Sequence, residues 1–247
     1  MELDLYVRGI RLKPPDQVDR DDYVFSLPVV RYLKELRFES PVTFFVGENG
    51  TGKSTLLEAM AVNYGFNPEG GTRNFNFASR ESHSVLHRHL TLIKGVRQPR
   101  DGFFLRAESF YNVASEVDRL DAEDQTRPFL ANYGGKSLHS QSHGESFMSL
   151  TLNRFGGNGL YILDEPEAAL SPSRQFTLIA RITELVKLKS QFIIATHSPI
   201  LMAYPGAVIY VLAEDGIRLT PYEETEHYRL TKQFLDNPRR MLDILCE

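Results

Sequence analysis

Residues 47–55 read Gly47-Glu48-Asn49-Gly50-Thr51-Gly52-Lys53-Ser54-Thr55, and they fit the phosphate-loop pattern G-x-x-x-x-G-K-[ST] at every fixed position. The apolar, β-branched and aromatic run at 41–46 precedes them and predicts a buried strand. The residues at 56–62 that follow include good helix formers. The pattern has chemical meaning only between a strand and a helix, and both flanks are present here.

This loop predicts a binding site for the phosphates of a nucleotide. Its glycines let the backbone curl so that N–H groups point inward, where they and the positive end of the helix dipole hold phosphate oxygens. We expect all nine residues to contribute to nucleotide binding. Lys53 is expected to reach the β and γ phosphates and so to take part in catalysis, and the Ser54 hydroxyl to bind Mg²⁺.

A second motif pairs two acids with the end of a predicted strand, Leu160-Tyr161-Ile162-Leu163-Asp164-Glu165-Pro166. A carboxylate at the carboxyl end of a parallel strand lies beside the phosphate site in such sheets. We therefore expect Asp164 to hold Mg²⁺, directly or through water, and Glu165 to orient and deprotonate the attacking water. Two surface acids at a strand end are the alternative interpretation, and the earlier phosphate loop argues against it.

A third motif is the buried run 191–195 that leads into Thr196-His197-Ser198-Pro199. A histidine just past a strand of this sheet can donate a hydrogen bond to the γ-phosphate. The alternative is a purely structural histidine. The strand and the position after the two acids favour a catalytic role for His197.

The 247 residues and their 42% hydrophobic content suit one large α/β domain, so we expect residues 1–247 to form a single domain. Predicted strands alternate with helices after 159, which argues for a mainly parallel sheet covered by helices. Alternation at 3–11 predicts an edge strand. Runs at 90–94 and 102–106, joined by a turn-rich segment, predict a hairpin within a helical and hairpin insert at about 66–140.

Composition limits the function classes. The net charge of −4 gives no overall basic footprint for nucleic acid. The single cysteine, Cys246, cannot form an internal disulfide, which fits a reducing cytoplasm. The first residues lack the basic start and apolar stretch of a signal peptide, and the longest apolar region, 201–213, is too short to span a bilayer. We therefore expect a cytoplasmic protein without membrane insertion.

The phosphate loop with Glu48-Asn49-Gly50, the Leu163-Asp164-Glu165-Pro166 box and the Thr196-His197-Ser198-Pro199 box together resemble ATP-binding-cassette (ABC) type ATPases. Within that superfamily the chain is similar to the stand-alone branch with RecF, the SMC proteins and the overcoming-lysogenisation-defect ATPases. Residues 164–172 and 103–110 resemble small predicted ATPases of that branch. The resemblance runs from about Leu3 to about Leu212. It implies ATP and Mg²⁺ as cofactors, ATP hydrolysis, and an ABC-type head with an N-terminal antiparallel β portion.

The resemblance also implies a signature loop that opens a helix and contacts the γ-phosphate held by a partner subunit. Residues 141–145 occupy that position. Ser142 and Glu145 form an S-x-x-E capping box, and Gly144 leaves free N–H groups at the helix start. We expect Ser142, Gly144 and Glu145 to bind nucleotide, although a mere helix cap is the alternative. His143 and Glu145 stand where the transporter pattern has a glycine and a glutamine.

Two further family elements are less well defined. A glutamine-bearing loop that senses Mg²⁺ follows a strand in the family, and here Glu108 takes that place, with Gln98 as a competitor. Glu108 is therefore a candidate for the metal site. An aromatic residue that stacks on adenine usually precedes the phosphate loop, and three residues remain open for that role: Tyr6, Tyr23 and Phe25.

One subunit thus supplies half of a composite site, and the sequence predicts an ATP-dependent homodimer. Positions 56–141 leave no room for long coiled-coil arms. The leading hypothesis is a soluble ATPase subunit that acts with a protein effector in DNA repair or phage defence, with nucleic acid binding left open. The alternatives are a nucleotide-binding subunit of a membrane transporter and a nucleotide-sensing module with negligible turnover.

Overall fold

Two β-sheets organise the residues that the computed structural model describes, which are 4–14, 23–73, 84–123 and 129–246. Parts of the predicted insert, 74–83 and 124–128, lie outside these ranges, as does Leu3, where the family resemblance begins. Along the chain, the strands are β1 (Val7–Leu12), β2 (Glu35–Arg37), β3 (Val42–Gly47), β4 (Leu90–Lys94), β5 (Asp101–Arg106), β6 (Gly159–Asp164), β7 (Gln191–Ala195), β8 (Val208–Ala213) and β9 (Gly216–Leu219).

The helices include several whose starts carry the expected capping residues. Proline stands at the first helical position after Ser171, Ser198 and Asn237, where its missing N–H costs nothing. In order, the helices are α1 (Pro28–Tyr32), α2 (Lys53–Tyr64), α3 (Leu86–His89), α4 (Phe110–Glu123), α5 (His143–Asn153), α6 (Pro172–Lys187), α7 (Pro199–Met202), α8 (Glu226–Asp236) and α9 (Pro238–Cys246).

The larger sheet has the strand order β5-β6-β7-β3-β8-β9, and all its neighbouring pairs are parallel except β8–β9. Every residue of β3, β6 and β7 is buried, as expected for interior strands with helices on both faces. Because these three strands are adjacent and parallel, their carboxyl ends meet at one edge. The phosphate loop, the two acids and His197 follow those ends. The predicted α/β fold with a mainly parallel sheet is confirmed.

The smaller sheet is antiparallel, with the order β2-β1-β4. It confirms the expected antiparallel portion near the N-terminus, but β1 is its central strand, so the prediction of an edge strand was wrong. Alternation of apolar and polar residues indicates a half-buried strand, but it does not distinguish an edge strand from a central strand.

The predicted hairpin between 90–94 and 102–106 was also wrong. β4 pairs with β1 in the smaller sheet, whereas β5 pairs with β6 in the larger one. The backbone N–H of Arg100 donates to the carbonyl of Asn158 at 2.9 Å, which aligns the start of β5 with β6. The run Phe103-Phe104-Leu105 is buried on both faces and therefore favours an interior sheet over a half-exposed hairpin.

The core divides into two apolar layers, one on each face of the larger sheet. Phe44 and Ile194 point into the layer that α4, α5 and α6 cover, while Phe45 and Ile193 point into the layer formed with α2 and the smaller sheet. Burial of each such side chain contributes about 1.5–3 kcal/mol. These two layers hold in place the edge of the sheet at which the three motifs meet.

Across the described residues, no helix combines the length and the apolar character that crossing a membrane would require.

Candidate site for nucleotide binding and hydrolysis

The phosphate loop is a tight turn between β3 and α2 that depends on glycine. Gly52 caps α2 with a φ of 95°, in the left-handed region. A Cβ atom there would lie 2.5 Å from Cγ1 of Val29 on α1. The backbone N–H of Val29 donates to the carbonyl of Thr51 at 3.1 Å. The helix α1 therefore supports the loop from behind and leaves its concave side to a ligand.

Lys53 lies inside the curve of the loop and is only 4% exposed. Its Nζ donates hydrogen bonds to the carbonyl oxygens of Gly47 at 2.8 Å and of Glu48 at 2.9 Å. Burial lowers the pKa of Lys53, and the carboxylates of Glu165 and Asp164 oppose this shift. The ammonium group is thus held by exchangeable carbonyl contacts at the place where phosphate oxygens would enter.

Two of the three predicted magnesium ligands are in direct contact. Oγ of Ser54, at the start of α2, donates to Oδ1 of Asp164, at the end of β6, at 3.1 Å. Asp164 is 5% exposed, and burial raises its pKa to about 6 although Arg106 opposes the shift. The sequence separation of these residues is large, and the parallel pairing of strands alone brings them together.

This oxygen pair fits Mg²⁺. Within the described ranges, no group of three or more His, Cys, Asp or Glu side chains is arranged to hold a metal ion by itself. Magnesium usually takes one or two protein ligands and completes its shell with water and substrate phosphates. Ser54 and Asp164 match that arrangement, with the phosphates of a nucleotide in the adjacent loop as the missing ligands.

Glu165 has an unusual backbone. Its φ of 51° places a non-glycine residue in the left-handed region, and its N–H donates to the carbonyl of Ala195 at 3.0 Å. Such a conformation costs about 1–3 kcal/mol and is found most often at functional sites. The side chain is 39% exposed, so the turn presents the carboxylate to solvent beside Asp164. The role of Glu165 as the base that activates water stays a prediction.

His197 is fixed by contacts at three of its atoms. Its backbone N–H donates to Oε1 of Glu167 at 2.5 Å, and its Nδ1 lies 3.2 Å from Nε2 of His227. Its Nε2 lies 3.5 Å from Oε1 of Glu165 and makes no hydrogen bond within the described part of the chain. Burial and the nearby charge of Lys53 lower the pKa of His197. A neutral imidazole therefore stands next to Glu165 with one nitrogen free to meet a ligand.

The start of α5 forms the expected capping box between Ser142 and Glu145. Oε2 of Glu145 accepts hydrogen bonds from the backbone N–H of Ser142 at 3.0 Å and from its Oγ at 2.6 Å. The hydrogen bonds from the Ser142 hydroxyl and N–H lower the pKa of Glu145.

Gly144 packs closely at this helix start. A Cβ atom would lie 2.3 Å from an Nη1 atom of Arg174 and 2.6 Å from the carbonyl oxygen of Ala169. Arg174 also approaches Glu145 at 3.7 Å. Among the described residues, these recorded contacts of Ser142, Gly144 and Glu145 do not reach the phosphate loop of the same chain. The predicted nucleotide-binding role of these three residues stays a prediction.

Arg106 is the charged residue that the sequence interpretation missed beside the magnesium ligands. It ends β5 opposite Asp164 in the strand register, and its Nε lies 3.8 Å from Oδ2 of Asp164. Its Nη1 donates to Glu58 on α2 at 2.6 Å, and its Nη2 donates to Glu108 at 3.3 Å. Glu108 is 84% exposed and pairs with Arg106, so its role at the metal site also stays a prediction. The sequence offered one signal, an arginine at the end of a predicted strand.

The alternative prediction, that Gln98 and not Glu108 senses magnesium, was wrong. Gln98 precedes β5 and lines a surface pocket with Tyr6, Arg97 and Lys189, at the edge opposite to Asp164. The direction of a parallel strand decides this point, because its two ends lie on opposite edges of the sheet.

The three candidate aromatic residues for base stacking occupy different environments. Tyr6 is 4% exposed, and its hydroxyl donates to the carbonyl of Lys189. Phe25 packs against His89 with ring centroids 5.1 Å apart. Tyr23 is 61% exposed and lies in a 3₁₀ turn just before α1. Of the three, Tyr23 has a ring face available to a base.

The fold and these motifs resemble those of ATPases of the ABC type. A phosphate loop, a strand ending in two acids and a histidine at the next strand lie at one edge of a mostly parallel sheet, with an antiparallel sheet beside it.

Comparison with known proteins agrees with this class. The model of a family described as "AAA ATPase domain" matches residues 146–202, and the model described as "AAA domain" matches residues 30–103. A putative ABC transporter ATP-binding protein of Geobacter sulfurreducens is 27% identical over 214 residues, covering 78% of this chain and 74% of that protein. The cobalt import ATP-binding protein CbiO of Salmonella typhimurium is 24% identical over 241 residues, covering 89% and 88%.

Among solved structures, the SMC head domain from Thermotoga maritima is similar, with a TM-score of 0.46 and 17% identity. The match covers 88% of this chain and 99% of that one. The similar structures also include cbiO1 from Clostridium perfringens, part of the ABC transporter complex cbiONQ, with a TM-score of 0.47, 18% identity and coverage of 97% of each chain.

Proposed function

We propose that this ATPase is a switch whose subunits pair around ATP and separate after hydrolysis. The observation that carries the ATPase chemistry is the contact between Ser54 and Asp164, with Lys53 on one side and Glu165 on the other. It supports a site in which one edge of the sheet holds phosphate, magnesium and the attacking water. We further propose that residues 1–247 act as one such domain.

The phosphate end of ATP would be held by Lys53 and the loop. When the triphosphate enters, Nζ of Lys53 exchanges the carbonyl oxygens of Gly47 and Glu48 for β and γ phosphate oxygens. Backbone N–H groups at residues 48–55 and the N-terminus of α2 add further donors. Ser54 and Asp164 would hold Mg²⁺, which supplies charge neutralisation to the leaving phosphate when bound.

The proton chemistry falls to Glu165. Its carboxylate takes a proton from the water that attacks the γ-phosphate. His197 supports it from 3.5 Å away, and its Nε2–H would donate to a γ-phosphate oxygen as negative charge develops there. The buried strands behind both residues keep them in place, so little reorganisation is needed during the reaction.

A second copy of the chain would complete the site. Ser142 and Glu145 are exposed at the start of α5, and their recorded contacts involve residues other than the phosphate loop of their own chain. In a two-fold symmetric pair, each α5 would face the ATP held by the other copy. A triphosphate bridges the two surfaces and a diphosphate does not, so hydrolysis releases the pair.

For the pathway, we propose a cytoplasmic ATPase subunit that works with a protein effector in DNA repair or phage defence. Glu108 and His143 depart from the transporter pattern, which supports this choice, and nucleic acid binding is part of its test. The alternative is a nucleotide-binding subunit of an ABC transporter, which the names of the curated relatives favour. A gel shift with DNA and ATP, beside co-purification with membranes, separates the two. A sensing module without turnover is disfavoured by Glu165.

The switch itself is tested with Glu165→Gln. We expect ATP turnover to fall by about 10²- to 10⁴-fold, the usual effect of losing a general base, and the variant to remain a dimer in ATP and Mg²⁺. Phosphate release measures the first effect, and light scattering after size exclusion measures the second. Glu39→Gln is the matched control, because Glu39 is exposed and precedes β3 at the opposite edge of the sheet. Normal turnover by Glu165→Gln would remove Glu165 from its role, and a monomer under all conditions would refute the switch.

A further inference from the structure

The segment 222–228 packs against the histidine motif, although it lies beyond the part of the chain that the family resemblance covers. The hydroxyl of Tyr222 donates to the carbonyl of Pro199 at 2.9 Å. Thr225 is 1% exposed, caps α8, and donates from Oγ1 to the carbonyl of Tyr222 at 2.7 Å. These contacts fix the first turn of α8 beside the residues that follow His197.

His227 is the residue of this segment that reaches the catalytic edge. Its Nε2 lies 3.2 Å from Nδ1 of His197, and the two ring centroids are 5.4 Å apart. His227 also lines a cavity of about 240 Å³ beside the phosphate loop, together with Gly47, Glu48 and Thr51. It therefore contacts the nitrogen of His197 that faces away from Glu165.

The surrounding charges decide which nitrogen of His197 carries the proton. Nε2 of His197 faces Oε1 of Glu165 at 3.5 Å. A lone pair on Nε2 would repel that carboxylate, whereas an N–H group would be attracted to it. With hydrogen on Nε2, the neutral ring has its lone pair on Nδ1. The partner at 3.2 Å must then be a donor, which makes Nε2 of His227 the protonated nitrogen of the second ring.

Both rings have the neutral form that this arrangement needs. Burial lowers the pKa of His227 and that of His197, and the Lys53 ammonium lowers both further. The carboxylates that face the pair oppose these shifts: Glu165 at His197, and Glu226 and Glu48 at His227.

We infer that His227 is a positioning residue that donates a hydrogen bond to Nδ1 of His197 and thereby holds the Nε2–H of His197 toward the γ-phosphate. This inference rests on the proposed function, because it assigns His227 to the same reaction. Helix α8 would thus set the tautomer of His197. At other sites, too, a hydrogen-bond partner on one ring nitrogen of a histidine fixes which nitrogen carries the proton.

The kinetic test compares two variants. His227→Leu removes the donor, and we expect kcat to fall about ten- to hundred-fold while KM for ATP changes less than about two-fold, since outer contacts of this kind act on orientation. His227→Gln retains an N–H donor at similar reach and should stay within about three-fold of the parent. His139→Leu is the control, because His139 is exposed and packs on Tyr111 of α4. A kcat unchanged by His227→Leu, or equal losses in both variants, overturns the inference.

A spectroscopic test decides the direction of the hydrogen bond on the unaltered protein. Two-bond ¹H–¹⁵N correlation spectra of histidine-labelled protein report which nitrogen of each ring is protonated. We expect Nε2-protonated His197 in the parent and a mixture of tautomers in His227→Leu. Nδ1-protonated His197 in the parent refutes the inference even if the Leu variant does not fold. If Lys53→Ala and Glu165→Gln both keep full turnover, the proposed function fails. The spectra still show, independently of that result, whether His227 donates a hydrogen bond to His197.

Discussion

The edge of the larger sheet that carries the three motifs and the helix pair α8 and α9 differ strongly in packing. β3, β6 and β7 are buried along their whole length, whereas α8 and α9 contain no fully buried residue. Leu242 and Ile244 on α9 are 47% and 70% exposed. The reacting groups thus stand on a rigid base, while the residue that we infer to orient His197 comes from a segment with few buried contacts. Such segments open at lower free energy than a buried sheet.

The largest expected effect is at the buried edge of the larger sheet. Lys53→Ala removes the ammonium group that contacts two carbonyl oxygens of the phosphate loop, and we expect nucleotide binding to be lost. Titration calorimetry with ATP measures it. Lys136→Ala, at an exposed position, is the matched control and should bind as the parent does. Retained affinity in Lys53→Ala would contradict the assignment of the loop.

A matched pair of leucines compares the two regions directly. Leu160 on β6 is 0% exposed, so Leu160→Ala should lower the free energy of unfolding by about 2–5 kcal/mol through lost burial and an unfilled cavity. Leu242→Ala on α9 should change it by no more than about 0.5 kcal/mol, because the side chain is 47% exposed. Urea denaturation measures both. Similar losses at the two positions would mean that α9 packs as part of the core in solution.

A smaller effect, of opposite sign, is expected at Asp164. Folding raises its pKa from 3.8 to about 6, which at 1.36 kcal/mol per unit corresponds to about 3 kcal/mol as an upper limit. The folded state holds the proton more tightly than the unfolded state. The cost is therefore absent below the unfolded pKa, develops as pH rises from 3.8, and is complete above about 6.

Asp164→Asn should accordingly stabilise the protein at pH 7.5 without nucleotide or Mg²⁺, by about 1–3 kcal/mol. The gain should shrink toward zero near pH 3.5, because both states of the parent are then protonated. Urea denaturation at the two pH values is the measurement. A gain that is the same at both pH values would show that the effect comes from packing and not from the charge. Burial of the Asp164 charge would then not lower the free energy of unfolding.

Much of the site could be predicted because its motifs are contiguous in sequence. The loop at 47–55 needs its own glycines, and Asp164, Glu165 and His197 each follow an apolar run that only an interior strand explains. Adjacent parallel strands then bring these three motifs to one edge. The fold class follows from the same runs. The placement of α5 near its own or another copy's nucleotide involves a second chain, so that role is still a prediction.

The errors and omissions have a common physical cause, which is contact between residues distant in sequence. The segment 95–100 has the composition of a turn, yet it links two sheets, and only pairing with β1 and β6 reveals this. Arg106 and His227 belong to the site through single contacts across the fold, and no local pattern marks either of them.

The hydrogen bond from the N–H of Glu165 to the carbonyl of Ala195 couples two neighbouring strand ends. The proposed base is thereby held against the strand that leads to His197, so a change in the twist between β6 and β7 would shift both residues. An engineer who wished to retune the turnover rate would do better to alter the packing beneath that strand pair than to redesign the surface loops around it.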